Sequence, residues 1–399
     1  MMFKLAFAIF AVTLLTLPAQ ATNAFERLHD ALHPKRTAAD PSQTPLIFAS
    51  VPHISHLEKV AAVALELASI GYPIKFLTGR AFENLISNLH PNIEFAPFLG
   101  LDGLMTEEDM KTLMSLPPKE KELFATKKAF VDGMKDHHNS IQREAAAFRQ
   151  KHGDTKPLVI LFDMSLTGHY PVLLGAPGIR PDASIAISTA ALVLDSNDTF
   201  PFKVGKVPDT SENARDVHWA ACQEYFETPF YKELHKHWEA KLRELGATKE
   251  PFPGVYDAMN TVSDYLATQG IPEFEFPRSD IRTDIRYFGA LKNLKKTGGE
   301  AAELPTWWDD IRKAKAEGKK IVAVSQGTVE VNPQELILPT ISALKDREDV
   351  LVIATLVAFE PSEVLGEEVP ENARVAKFVP HDMLLPLVSR EIVMIGSDD

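Results

Sequence analysis

Cysteine is almost absent: Cys222 is the only one in 399 residues. One thiol makes no internal disulfide and no cysteine-built zinc site, so the fold rests on its core alone. Positive charge is also in short supply. Lys and Arg total 42 against 55 Asp and Glu, a formal net charge of −13. Phosphate backbones demand a surplus of Lys and Arg, so the balance argues against nucleic acid as a partner and against a polybasic hold on a membrane surface. Neither a G-x-G-x-x-G run nor a Walker sequence occurs, which leaves a plain dinucleotide or ATP site without support. Internal repeats and low-complexity tracts are missing too, and no apolar run beyond the N-terminus is long enough to span a bilayer.

What is present suits a soluble globular chain of two or three domains, with 45% apolar and 24% charged residues. Lys4, the apolar run 5–17, Pro18 and the small-x-small pattern Ala19-Gln20-Ala21 read as a signal peptide over residues 1–21. That predicts the secretory pathway, either the ER lumen or secretion. If the run belongs instead to the mature fold as a buried strand or helix, the cytoplasm is the alternative. The sequon Asn197-Asp198-Thr199 fits a lumenal setting but is a weak motif. Residues 22–44 are polar, carry Pro34 and Pro41, and read as a linker.

From residue 45 onward the pattern is α/β. An apolar run at 46–51 is followed by helical spacing at Leu57, Val60, Ala61, Ala64, Leu65 and Ala68. Ser55 and Glu58 read as a capping box, with Gly71 and Pro73 closing the helix. Residues 74–78 form the next strand, giving a strand–helix–strand unit of a parallel sheet. Residues 104–150 are mostly helical, 158–162 and 185–188 are strands, and 214–245 is a helical hairpin. His137, His138, His235 and His237 fall on charged helices and are expected to be solvated rather than metal ligands. Residues 292–304 read as a linker, and 305–399 as a second α/β unit. That unit has strands at 321–325, 350–355, 374–379 and 392–395, and a helix opened by Asn332-Pro333.

In doubly wound sheets ligands sit at the carboxyl ends of strands, which singles out a few side chains. His56 falls in the first turn of the helix after the first strand, where the helix dipole disfavours protonation and favours the neutral form that a general base needs. Asp163 ends strand 158–162. If the two strands are neighbours, it accepts a hydrogen bond from the His56 ring and fixes its tautomer. His53 and His56 could be read as a metal pair, but no third ligand is evident. Gly327 and Thr328 follow strand 321–325 and suit the cradling of a diphosphate.

These residues carry a resemblance. The segment Val51-Pro52-His53-Ile54-Ser55-His56, with the Gly71 joint before the strand ending at Thr78, resembles the opening of the UDP-glycosyltransferase superfamily, with Ser55 where Gly is usual. Phe276-Pro277-Arg278-Ser279-Asp280 and Pro305-Thr306-Trp307-Trp308 resemble its interdomain segments. Val324-Ser325-Gln326-Gly327-Thr328 resembles its donor strand. Phe378-Val379-Pro380-His381, followed by Leu384-Leu385, resembles its Trp-x-Pro-Gln element, with Phe378 for Trp and His381 for Gln.

The resemblance implies a GT-B fold of two Rossmann-like doubly wound domains: an acceptor domain over 45–291, and a nucleotide-sugar domain over 305–399 that is expected to be incomplete. Neither the family's His-x-Gly-rich turn nor its acidic-Gln pair is found in this sequence. An open sheet edge and an exposed apolar face are expected to follow. The function implied is inverting transfer of a hexose from a UDP-sugar to a hydroxyl of a small lipophilic acceptor. His56 is the base, Asp163 orients it, and Gly327, Thr328, Phe378 and His381 touch the donor. The sugar nucleotide is a co-substrate, and neither cofactor nor metal is implied. Two alternatives stand beside it. One is a shortened, inactive relative that keeps the acceptor domain. The other is a secreted serine hydrolase whose elbow is Ala323-Val324-Ser325-Gln326-Gly327.

Overall fold

A computed structural model describes residues 40–393, apart from 101, 104, 290, 292–293, 295–303, 327–331, 358 and 366–368. The signal-peptide reading at 1–21, most of both linkers, and Gly327 and Thr328 lie outside the described residues.

Two parallel sheets organise the rest. The first has seven strands: β1 (Leu46–Ala49), β2 (Ile74–Thr78), β3 (Ile93–Pro97), β4 (Val159–Asp163), β5 (Ala183–Ser188), β6 (Tyr265–Thr268) and β7 (Ile285–Tyr287). Their order is β3-β2-β1-β4-β5-β6-β7. The second has four: β8 (Lys320–Ser325), β9 (Val350–Thr355), β10 (Ala373–Ala376) and β11 (Arg390–Val393), in the order β10-β9-β8-β11. Every pairing is parallel. Mixed α/β architecture with two such sheets is the GT-B arrangement.

The strands read as continuous apolar runs because both faces are covered. Along β1, Ile47 and Ala49 face one core and Leu46 and Phe48 the other. Helix α1 (Ile54–Ser69) covers the second face with Leu57, Val60, Ala61, Ala64 and Ala68, an i, i+3, i+4, i+7 stripe. Helix α2 (Met134–His152) covers the first with Ile141, Ala145 and Phe148. In the second sheet β8 divides in the same way, with Val322 and Val324 on one side and Ile321 and Ala323 on the other.

Several local expectations need correction. Helix α1 starts at Ile54 with His53 as N-cap and no side-chain cap, so Ser55 is no capping residue. Its hydroxyl lies 2.8 Å from Nδ1 of His53 instead. The helix begins three residues before its apolar stripe, which starts at Leu57. His137 and His138 are buried, not solvated. His137 packs on Phe98 with ring centroids 4.4 Å apart, and Nδ1 of His138 lies 3.2 Å from the Gly168 carbonyl oxygen. The turn at Gly168 comes so close that a Cβ there would sit 2.4 Å from Cβ of His137, so only glycine fits.

Helices α3 (Ala214–Glu227) and α4 (Pro229–Glu244) form the expected hairpin. Its His235 and His237 are half-covered, each with a carboxylate: Glu239 at 3.3 Å and Asp132 at 2.6 Å. The helix expected to open at Asn332 forms only at Ile337–Leu344. Asn332 caps a preceding turn, accepting from the Gln334 N–H at 3.2 Å.

Candidate functional site

The sheet order reverses between β1 and β4. Chain leaving these strands turns in opposite directions and opens a crevice at their carboxyl ends. Residue Ala49 pairs with Phe162, and Asp163 with Ile187, so the ends of β1, β4 and β5 are level. Ser50 and Thr189, the first residues past β1 and β5, therefore flank Asp163. The first turn of α1 delivers His56 from above.

Asp163 is fully buried and His56 about a quarter exposed, 0% against 25% of the side chain. Nδ1 of His56 lies 3.1 Å from Oδ2 and 3.3 Å from Oδ1 of Asp163. A buried carboxylate must have its lone pairs met. Here the Ser165 backbone N–H donates to Oδ1 at 2.9 Å, the Thr189 hydroxyl to Oδ1 at 3.3 Å, and the Ser50 hydroxyl to Oδ2 at 3.4 Å. Oγ1 of Thr189 is also 2.9 Å from Nδ1 of His56. A carboxylate offers only acceptor atoms, so the proton between the two residues belongs on Nδ1. That leaves Nε2 bare, with no hydrogen-bond partner among the described residues. An imidazole held so can take a proton from a hydroxyl brought into the crevice.

Two further groups border this pair. His53 stands edge-on to His56 with ring centroids 6.0 Å apart. Burial first, then the His56 ring, lower its pKa, against the pull of Asp163. Lys59, one turn along α1, donates to the Thr189 carbonyl oxygen. Burial lowers its pKa as well, with Asp163 opposing. Among the described residues no group of three or more His, Cys, Asp or Glu side chains is placed to hold a metal, so the His53–His56 pair finds no third ligand there.

The sequence singled out His56 and Asp163, and the fold brings them together. It did not single out Ser50, Thr189 or Lys59. A hydroxyl residue just past a strand is a detectable signal, but only the strand order shows that these strands are neighbours.

In the second sheet, Ser325 and Ala376 align across β9 through Thr355, so their ends lie about 10 Å apart at two strand spacings. Phe378 follows β10 and is 53% exposed. His381 opens the short helix His381–Leu384 and is also exposed. Both belong to the same edge as the end of β8, after which Gly327 and Thr328 come. Ser325 is a poor nucleophile candidate: its hydroxyl is buried and donates to the Gln326 carbonyl at 3.3 Å. A nucleophile elbow needs a helix starting at the serine, and the next described helix starts at Ile337.

Comparison with known proteins adds a second line. No family model matches the sequence. The chain is 35% identical over 356 residues to the UDP-glucosyltransferase avaP of Aspergillus versicolor, covering 86% of this chain and 75% of that protein. It is 31% identical over 355 residues to UDP-glycosyltransferase 2 of Phaeomoniella chlamydospora, covering 87% and 74%. Among solved structures, the glycotransferase of kitacinnamycin superposes with a TM-score of 0.57 at 16% identity, covering 90% of this chain and 77% of that one. The calicheamicin glycosyltransferase CalG4 superposes with a TM-score of 0.53 at 13% identity, covering 88% and 75%. At such identities the structural likeness speaks for the fold alone.

Proposed function

The chain belongs to the UDP-glycosyltransferase superfamily, and from that premise we propose that it is an inverting hexosyltransferase with His56 as general base. The observation that carries this reading is the buried Asp163 on Nδ1 of His56, which leaves Nε2 bare at the switch point of the seven-stranded sheet.

In this reading a hydroxyl of a small lipophilic acceptor enters the crevice. Nε2 takes its proton while the oxygen forms a bond to the anomeric carbon of a UDP-sugar. The bond from that carbon to the β-phosphate oxygen breaks, and UDP leaves with the electron pair. Attack from the face opposite the leaving group inverts the anomeric centre. Asp163 stays ionised, holds the ring orientation and stabilises the imidazolium that forms. Gly327, Thr328, Phe378 and His381 are assigned to the donor: the backbone at 327–328 to the diphosphate, the Phe378 ring to the uracil face, and His381 to the nucleoside. Exposure of the Phe378 ring just past β10, at the carboxyl edge of the same sheet as β8, supports that assignment.

The test is calorimetric titration of UDP and UDP-glucose into the purified chain, paired with turnover of phenolic acceptors by the wild type and His56→Ala. Micromolar to millimolar UDP binding with transfer that depends on His56 is the expected result. A folded chain that binds neither nucleotide would overturn the reading.

A further inference from the structure

The proposed function accounts for His56 and Asp163 but leaves Lys59 unused, and its surroundings are unusual for a lysine. Its side chain is half-buried on the same face of α1 as His56, three residues on. Among the described residues it makes no ion pair. Its ammonium instead donates to the backbone carbonyl of Thr189. Asp163 attracts this ammonium without touching it and offsets only part of the cost of holding it partly out of water, so the direct contact to the Thr189 carbonyl is what fixes its place.

Thr189 is where that contact matters. It is the first residue past β5, and the chain over 190–200 that follows has neither helix nor strand. Regular backbone pairing therefore does not hold it beyond Ser188. Yet its buried hydroxyl must stay 2.9 Å from Nδ1 of His56 and 3.3 Å from Oδ1 of Asp163. One helical turn, from His56 to Lys59, thus joins α1 to the β5 exit at both ends: the imidazole meets the hydroxyl, and the ammonium meets the carbonyl.

We propose that Lys59 is a positioning residue for the His56–Asp163 pair, acting through the Thr189 backbone. By fixing the Thr189 carbonyl it sets the direction of the hydroxyl that shares the Nδ1 proton with Asp163. It thereby keeps the imidazole in the one tautomer and rotamer that present Nε2 to the acceptor. The inference rests on His56 being the base. It differs from a mere tether of α1, because a tether would change stability without touching the ring.

The experiment compares Lys59→Met, Lys59→Arg and Lys59→Gln with the wild type and His56→Ala. Each is read for kcat and KM with UDP-glucose and a phenolic acceptor, for thermal midpoint, and for the 15N shifts of the His56 ring. Lys59→Met is expected to lower kcat about tenfold, the effect of one misdirected hydrogen bond, with KM for the donor changed by less than about twofold. Its ring nitrogens should move toward the averaged shifts of mixed tautomers. Lys59→Arg, which keeps a charged donor, should recover most of the rate. Lys59→Gln serves the same reading if the methionine variant does not fold. Wild-type kcat and unmoved ring shifts in Lys59→Met, with His56→Ala inactive, would sink this inference and leave the base assignment standing. Undiminished turnover in His56→Ala would remove both.

Discussion

The Nδ1 atom of His56 meets Oδ2 of Asp163 at 3.1 Å although the two are 107 residues apart in sequence. The contact depends on β1 and β4 being neighbours, with Ala49 beside Phe162, so that a histidine just after one strand overlies an aspartate ending the other. The two oxygens of Asp163 are met by two hydroxyls, one backbone N–H and one imidazole.

Asp163→Asn tests that dependence. The amide keeps the volume but can donate to Nδ1, which favours the tautomer with its proton on Nε2. Turnover is expected to fall by about a hundredfold or more, with UDP affinity unchanged. Initial rates alongside calorimetry check it, and a rate within a few-fold of wild type would contradict the orienting role.

Thr189 lends itself to a milder substitution. Thr189→Val removes the hydroxyl at nearly constant volume and should lower kcat about tenfold, while Thr189→Ser should hold most of the rate. Equal rates in the two variants would show that the hydroxyl does not help to place the imidazole.

Much of this was legible in the sequence, and the limits of that reading have physical causes. His56 and Asp163 were singled out because strand ends in a parallel sheet are ligand sites, and both residues follow apolar runs. Strands β3, β6 and β7 were missed. Edge-side strands such as Ile285–Tyr287 are short and half-exposed, so they lack the apolar run that marks β1 and β4. His137 and His138 were misjudged because α2 is rich in charge and its apolar stripe is carried by only a few residues. The close approach of Gly168 buries them, and no spacing rule reveals that contact. Thr189 was invisible because its position beside Asp163 follows from strand order, not from any local pattern.

His137 and His169, the latter fully buried against the Phe162 ring, make stability pH-dependent. Burial lowers the pKa of His137 to about 4 and that of His169 to about 3. The unfolded chain takes up these protons near pH 6.5, so it binds more protons than the folded chain between that pH and the folded values. The contribution of these two histidines to stability is therefore expected to be flat above about pH 7 and to fall on acidification, at up to about 1.4 kcal/mol per pH unit for each. Urea unfolding at pH 7.5, 6.0 and 5.0 measures the slope. His137→Gln should be less stable at pH 7.5 but lose less on acidification, and an unchanged slope would contradict the assignment.

Asp195 works in the opposite sense. Burial, and then the carboxylate of Asp257, raise its pKa to about 7. Its side chain has no hydrogen-bond partner among the described residues, although its N–H donates to Asp257 at 3.3 Å. The folded state holds this proton more tightly than the unfolded one, so stability drains away as pH rises from about 4 to about 7. Asp195→Asn should therefore raise stability by about 1 kcal/mol or more at pH 8 and by much less at pH 5. Equal effects at the two pH values would show that the carboxyl is not titrating in that range.

In the proposed reaction His56 takes the acceptor proton while the rest of the site only binds and orients. The most direct test is the single-turnover rate of sugar transfer from saturating UDP-glucose in the wild type and His56→Ala, with UDP affinity measured on the same samples. A loss of about a hundredfold or more in rate with UDP affinity kept within about twofold is the predicted result. A His56→Ala chain that transfers sugar at the wild-type rate would contradict it.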